Sequence, residues 1–292
     1  MKVSIAVPVY NCDKYIAQSL ESLLGQTCGD FELVISDNAS TDGTEEICRR
    51  YATMDKRVRY VRRTTNIGGP GNFCYVFSLC SGSYHKWSTA DDYWHPKFLQ
   101  EAVDVLDREA DVVLCYPKTR LIDAEGKPLS DYNDMLNLVD DSPRIRFREL
   151  YRQIGLCNAQ LGLLRRDAML KTKLFAGHRA CDTDFLGEMA LLGKFRLLPD
   201  IRFFRRFHPE SSSWAREDPE HQRRFYDPGS KVDSGMHAWR RILFQYGAVW
   251  RGPIDLADKL ALTTDVARWT RYERHALGRE IVARVMRRSS DT

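Results

Sequence analysis

The chain has 292 residues, 43% hydrophobic and 29% charged, enough for a full core in one large α/β domain or a catalytic domain with a smaller appendage, and not a disordered composition. A formal net charge of +4 is small for this length, which excludes nucleic acid as the expected partner, since such proteins carry a concentrated basic face. The eight cysteines (Cys12, Cys28, Cys48, Cys74, Cys80, Cys115, Cys157, Cys181) form no C-x-x-C pair that would grip zinc, and fit a reducing cytosol.

Met1-Lys2-Val3-Ser4-Ile5 enters an apolar strand at once, without the regions of a signal peptide, and no apolar run nears the ~18 residues of a membrane span. A cytoplasmic protein is expected. Val3 to Val9 is almost wholly apolar, as in a parallel strand covered on both faces. Asn11 then reads as the cap of a helix whose apolar stripe is Ile16, Leu20, Leu23 and Leu24. Phe31 to Ile35 is a second strand, ending in the polar turn Ser36 to Thr44 and a helix from about Glu45 to Tyr51. Val58 to Val61 is a third strand. After the loop Asn66 to Asn72 a helix is expected to run to Cys80, and Tyr84 to Ser88 forms a fourth strand ending in Asp91-Asp92. This order predicts a doubly wound, mainly parallel sheet with its ligand crevice at the carboxyl ends of the strands. A helix after Pro96 and the strand Val112 to Tyr116 follow, then a hairpin-like turn at Asp123 to Gly126. Ser130 to Pro143 reads as loop or lid, Leu156 to Leu164 as strand-like, and Phe185 to Leu192 as helix. Past Trp214 the chain turns to charged, Arg-rich helices.

Asp91-Asp92 at a strand end offers oxygen ligands to a hard divalent cation, or, read structurally, a helix N-terminus. The loop Asn66 to Asn72 lacks the Lys-Ser/Thr of a phosphate-binding P-loop and does not follow the first strand. In Asp37 to Asp42 the Asp, Asn, Ser and Thr side chains all suit bonds to nearby backbone amides, so a capped turn competes with any binding role there.

Taken in order, Pro8-Val9-Tyr10-Asn11, Gln26-Thr27, Phe31 to Ile35, Asp37 to Thr44, Asn66-Ile67-Gly68 and Ala90-Asp91-Asp92 resemble the signature of the family 2 glycosyltransferases, over roughly residues 1 to 210. The resemblance implies a GT-A fold, a nucleoside-diphosphate-sugar donor (UDP- or dTDP-linked), Mn²⁺ or Mg²⁺, and inversion at the anomeric carbon. Carried over by residue, Pro8, Tyr10, Asp37 and Asn38 bind the nucleotide, with Tyr10 on the base. Asn38 departs from the two acids many members have there, though its amide can still pair with a base edge. Asn66 and Gly68 would approach the donor. Asp92 is expected to hold the metal, with Asp91 on ribose or metal. His178 to Leu186 resembles the acidic pair before the acceptor-side helix, which points to Asp184 as general base, with Asp182 as the alternative or partner. Phe204 to Ser211 resembles the segment that closes over the diphosphate, giving His208 a metal or phosphate role and Arg205 and Arg206 a phosphate role.

The expected division is a catalytic domain, 1–214, with a nucleotide-sugar-binding half, 1–95, and an acceptor-side half, 96–214, and a helical extension, 215–292. The extension, with Trp239, Ile242, Leu243 and Tyr246 at helical spacing and later arginines from Arg268 to Arg288, reads first as a helical cap or homo-oligomer element. Its second reading is a peripheral contact with the inner face of an anionic membrane, where a lipid-linked acceptor would wait. The carbohydrate or lipid-linked acceptor belongs to polysaccharide or glycolipid synthesis by association with the family. A nucleotidyltransferase, which needs a Gly-rich basic loop after the first strand, and a non-catalytic nucleotide-sugar-binding protein are the competing functions.

Overall fold

The computed structural model describes residues 1–209, 211, 218–226, 228–229 and 236–290. Glu210, the expected domain boundary at 214–215 and the side chains of Arg287 and Arg288 lie outside the described residues.

Strand β1 (Val3–Val9) is buried throughout, as its unbroken apolar run requires of a central strand. It pairs in parallel with β2 (Phe31–Asp37) and with β4 (Tyr84–Trp87), and β2 pairs in parallel with β3 (Val58–Arg62). The crossovers are α1 (Ile16–Leu24), α2 (Thr44–Met54) and α3 (Gly69–Ser78). Ile16, Leu20 and Leu23 are the buried stripe of α1. Asn11, however, does not cap that helix. It adopts a left-handed φ of 46°, and its carboxamide oxygen accepts from the Thr41 amide at 2.8 Å, tying the end of β1 to the turn after β2. Helix α3 starts inside the loop expected at Asn66 to Asn72, with Gly68 as N-cap at φ 80° and Pro70 in its first turn, where a missing amide is harmless.

The second half of the sheet is mixed. Past β5 (Tyr93–Trp94) and α4 (Phe98–Arg108) come β6 (Val112–Ile122), β7 (Pro128–Asp131), α5 (Pro143–Gln153), β8 (Leu163–Arg165), the short α6 (Arg166–Met169), α7 (Cys181–Leu192) and β9 (Lys194–Arg206). The strand order is β3-β2-β1-β4-β8-β6-β9-β5, with β7 pairing to β6. Strand β8 is antiparallel to both neighbours, β9 is parallel to β6, and β5 is antiparallel to β9. Buried polar groups in β4 find partners or stay neutral. Lys86 donates to the Leu161 carbonyl at 2.8 Å and lies over the Trp94 ring, and burial drives its pKa well down. His85, packed edge-on to Phe77 and Trp87, is pushed down to about 3 by burial.

Helices α8 (Pro219–Tyr226), α9 (His237–Arg251), α10 (Leu256–Tyr272) and α11 (Arg274–Ser290) follow. A small core of Phe147, Leu191, Val249, Leu262 and Val266 fastens α9 and α10 to α5 and α7, so these helices cap their own protein. Gly187 on α7 makes this close approach possible, because a Cβ there would meet the Tyr151 hydroxyl at 2.6 Å. Gly187→Ala is expected to lower stability by about 1–3 kcal/mol, the usual cost of overpacking, read as a lower midpoint in urea. No helix among the described residues is long and apolar enough to cross a membrane.

Candidate active site

Strands β1, β2 and β4 are parallel, so their carboxyl ends open on one side, and the expected donor residues gather there. Tyr10, the first residue past β1, is 47% exposed and presents a free aromatic face. Pro8 does not reach the crevice. It is buried within β1, opposite Ser36. Asp37 is fully buried: its Oδ1 accepts from the Ser40 amide at 2.8 Å, its Oδ2 from the Tyr60 hydroxyl at 2.7 Å, and Arg62 Nε lies 3.6 Å away. Burial, reinforced by this carboxylate, raises the Tyr60 hydroxyl's pKa and keeps it a donor.

Asn38 differs from its expected role. Its Nδ2 donates to Asn66 Oδ1 at 2.8 Å and to the Gly68 carbonyl at 3.3 Å, and its Oδ1 accepts from the Ile67 amide at 3.0 Å. The amide is thereby spent on bracing the loop before α3. Asn66 is engaged likewise, accepting from the Gly68 amide at 2.8 Å. Two glycines of this loop make room for α8: a Cβ on Gly68 would lie 2.9 Å from the Tyr226 carbonyl, and one on Gly69 2.4 Å from the Phe225 ring.

The two acids after β4 have different surroundings. Asp91 is partly exposed, and its Oδ2 lies 3.0 Å from His208 Nε2, with His208 held against the Tyr15 ring at 4.8 Å. Asp92, expected as the metal ligand, is buried. Its Oδ1 accepts from the Arg206 amide at 2.7 Å and its Oδ2 from the Thr89 hydroxyl. Burial, then the neighbouring Asp91 carboxylate, pushes Asp92 up to about 7. Both of its oxygens are engaged, and Asp91 is the more exposed of the two carboxylates. Among the described residues no three or more His, Cys, Asp or Glu side chains are arranged around a common metal position. Asp91 and His208 fit a divalent cation as a partial set, one oxygen and one nitrogen donor, with diphosphate oxygens and water left to complete the coordination.

Arg206 also differs from expectation. Its guanidinium donates to the carbonyls of Asp91 (2.9 Å), Asp123 (3.1 Å) and Ala124 (2.8 Å) and to Gln18 Oε1 (2.6 Å), and stacks on Tyr15. A buried guanidinium with four acceptors pins backbone; it is not free to clamp phosphate. Arg205 donates to the Leu156 carbonyl at 2.6 Å and to the Asn158 side chain, near enough to Asp92 to counter its rise in pKa.

Across the crevice, the first turn of α7 carries both candidate bases. Asp184 is fully buried, accepting from Tyr151 Oη (2.9 Å) and Gln245 Nε2 (3.1 Å) on Oδ1, with His178 Nε2 2.7 Å from Oδ2. Both of its oxygens are engaged by these three side chains. Asp182 is partly exposed, its Oδ1 accepts from the neighbouring Thr183 amide (2.8 Å), and its carboxylate lies within hydrogen-bonding reach of the Cys157 thiol, which Arg205 flanks too. Sequence reasoning missed Thr89, Tyr15 and Gln18 as supports, and Tyr151, His178 and Gln245 as the cage of Asp184; none sits in a local pattern that would have shown it.

The comparisons with known proteins bear on the family and the fold. The model for "Glycosyl transferase family 2" matches residues 4–171. The chain belongs to that family. This family 2 chain is 29% identical over 227 residues to the chondroitin synthase of Escherichia coli, an alignment covering 76% of the chain and 31% of the synthase. It is 32% identical over 147 residues, 48% of the chain, to 23% of the poly(ribitol-phosphate) beta-glucosyltransferase of Bacillus spizizenii. The chain thus spans about a third or less of these two relatives. Among solved structures, S. aureus TarS 1-349 in complex with UDP superposes with TM-score 0.63 at 20% identity, covering 91% of the chain and 71% of TarS. The mannosyltransferase PcManGT from Pyrobaculum calidifontis, in complex with GDP-Man and Mn²⁺, superposes with TM-score 0.55 at 17% identity, covering 96% and 84%. The fold is therefore the GT-A fold expected from the sequence.

Proposed function

We propose that this protein transfers a sugar from a nucleoside-diphosphate sugar to a hydroxyl of a carbohydrate or lipid-linked acceptor, with inversion at the anomeric carbon. The observation that carries this reading is the Asp91–His208 pair at 3.0 Å, with the partly exposed Asp182 linked to the same end of the molecule through Arg205, whose charge reaches both Asp92 and the Cys157 thiol beside Asp182. The named complexes of TarS with UDP and of PcManGT with GDP-Man and Mn²⁺ support a nucleotide-sugar donor and a divalent ion, and the two relatives support a polymer acceptor.

Tyr10 would lie against the nucleotide base, and Asp37, with both oxygens satisfied, would shape the ribose wall. Asp91 and His208 would hold Mn²⁺ or Mg²⁺, which when bound offsets the charge that builds on the departing diphosphate. Asp182 would take the proton of the acceptor hydroxyl as its oxygen bonds to C1 and the bond from C1 to the diphosphate oxygen breaks on the opposite face. Arg206 and Asp92 would keep Asp91 in place.

Calorimetric titration of UDP, dTDP and GDP, each with and without Mn²⁺, tests the donor reading. One nucleotide is expected to bind about tenfold tighter or more with Mn²⁺, a difference of about 1.4 kcal/mol. Failure of all three to bind under either condition would overturn it.

A further inference from the structure

A second cavity, of about 480 Å³, lies between α5, α9 and α10, and none of Tyr10, Asp91, Asp182 or His208 lines it. Its size falls within the ~300–1,000 Å³ typical of small-molecule sites. The lining is aromatic and charged, with three arginines against the acids Asp265 and Glu273. Tyr151 and Trp269, with ring centroids 5.1 Å apart, form its floor, and Tyr272, 84% exposed, stands at its rim. The three arginines are in different states, and Arg152 is ion-paired with Glu149. Arg148 is ion-paired with Asp265. Arg241 Nε is buried and has no hydrogen-bond partner among the described residues, nor is Arg241 ion-paired there. Arg241 lines the cavity and is only half-buried as a residue, so an acidic oxygen entering the cavity would gain a charge-assisted hydrogen bond from its guanidinium.

We propose that this cavity binds an acid-bearing sugar unit of the acceptor glycan, with the carboxylate or phosphate on Arg241 and the C–H face of the sugar on the Tyr151 and Trp269 rings. Aromatic faces suit such a ligand because a sugar ring presents apolar C–H groups on one side and hydroxyls at its edge. The cavity also touches the reaction side. Its floor residues Tyr151 and Gln245 are the donors to Asp184 Oδ1, and Asp184 stands two residues beyond Asp182 in the first turn of α7. A glycan held here would be anchored to α5 and α9, whose Tyr151 and Gln245 in turn hold the helix that carries the proposed base. The identity of the ligand as acceptor rests on the transferase reading; the existence of the site does not.

The test is calorimetric titration of the full chain, without nucleotide, with three probes: a glucuronate-containing tetrasaccharide, its carboxyl-reduced neutral counterpart, and a ribitol-phosphate trimer. At least one acidic probe is expected to bind, about tenfold or more tighter than the neutral sugar, and Arg241→Gln is expected to remove that advantage. The two acidic probes separate a carboxylate from a phosphate ligand. Tyr272→Ala, at an exposed rim position, is expected to weaken the same probe severalfold with an unchanged melting temperature, which keeps the test open should Arg241→Gln not fold. Binding of UDP with Mn²⁺ in the same samples reports the donor site separately. No binding of either acidic probe, equal binding of the neutral one, or unchanged affinity in both folded variants would overturn the proposal.

Discussion

Asp182→Asn is expected to cut the transfer rate about 10²–10⁴-fold, the range that a positioned general base contributes, while leaving UDP affinity within a factor of about two. Asp182 accepts from the neighbouring Thr183 amide and lies beside the Cys157 thiol, and an asparagine oxygen can still accept from either, so the melting temperature should stay near the wild-type value. Asp184→Ala should behave in the reverse manner. It strips the acceptor from the Tyr151 hydroxyl and the Gln245 amide and removes the partner of buried His178, and each stranded group costs about 1–3 kcal/mol. Its signature is a large drop in thermal midpoint, with any lost activity following the lost fold. Transfer kinetics and calorimetry on both variants decide the matter. A stable Asp184→Asn enzyme that binds UDP but does not turn over, beside an active Asp182→Asn enzyme, would move the base to Asp184.

Asp91→Asn is expected to remove the Mn²⁺ dependence of nucleotide binding and to lower transfer by about 10²-fold or more, beyond the 10- to 100-fold typical of losing a group that only supports a metal ligand. Asp92→Ala should instead destabilise the fold by about 1–3 kcal/mol for each donor it strands, namely the Arg206 amide and the Thr89 hydroxyl. The measurements are nucleotide titration with and without Mn²⁺ and a melting curve for each variant. Normal Mn²⁺-linked binding in Asp91→Asn, together with its loss in a fully stable Asp92→Ala protein, would return the metal to Asp92.

The sequence was most legible where one strand or one helix stripe decides the structure. Val3 to Val9 and Phe31 to Ile35 are apolar without interruption, and a parallel pair buried on both faces is the economical outcome. It was least legible from Pro128 to Arg206. Helix α5 begins at Pro143 with the Ser142 side chain accepting from the Ile145 amide at 3.4 Å, a start signal that the polar run before it obscured. Strand β9 alternates basic and apolar residues around Pro199 and joins β6 through shifts of register, so no single period marks it. In the site, the residue types were readable but their allotment was not. Asp91 and Asp92, or Asp182 and Asp184, differ only in which neighbour reaches them, and those neighbours, Arg206, His208, Tyr151 and Gln245, come from distant segments.

The Arg206 pin has a consequence for how the protein comes to be active. Its bond to Gln18 closes a span of 188 residues, and the Asp91–His208 contact closes one of 117. Contacts of such sequence separation form late, because the entropy of closing the intervening chain must be met first. A nascent chain emerging from the ribosome can therefore assemble β1 to β4 and still lack a working crevice. Only when β9 has docked, after some two hundred residues have been made, does the diphosphate end take shape.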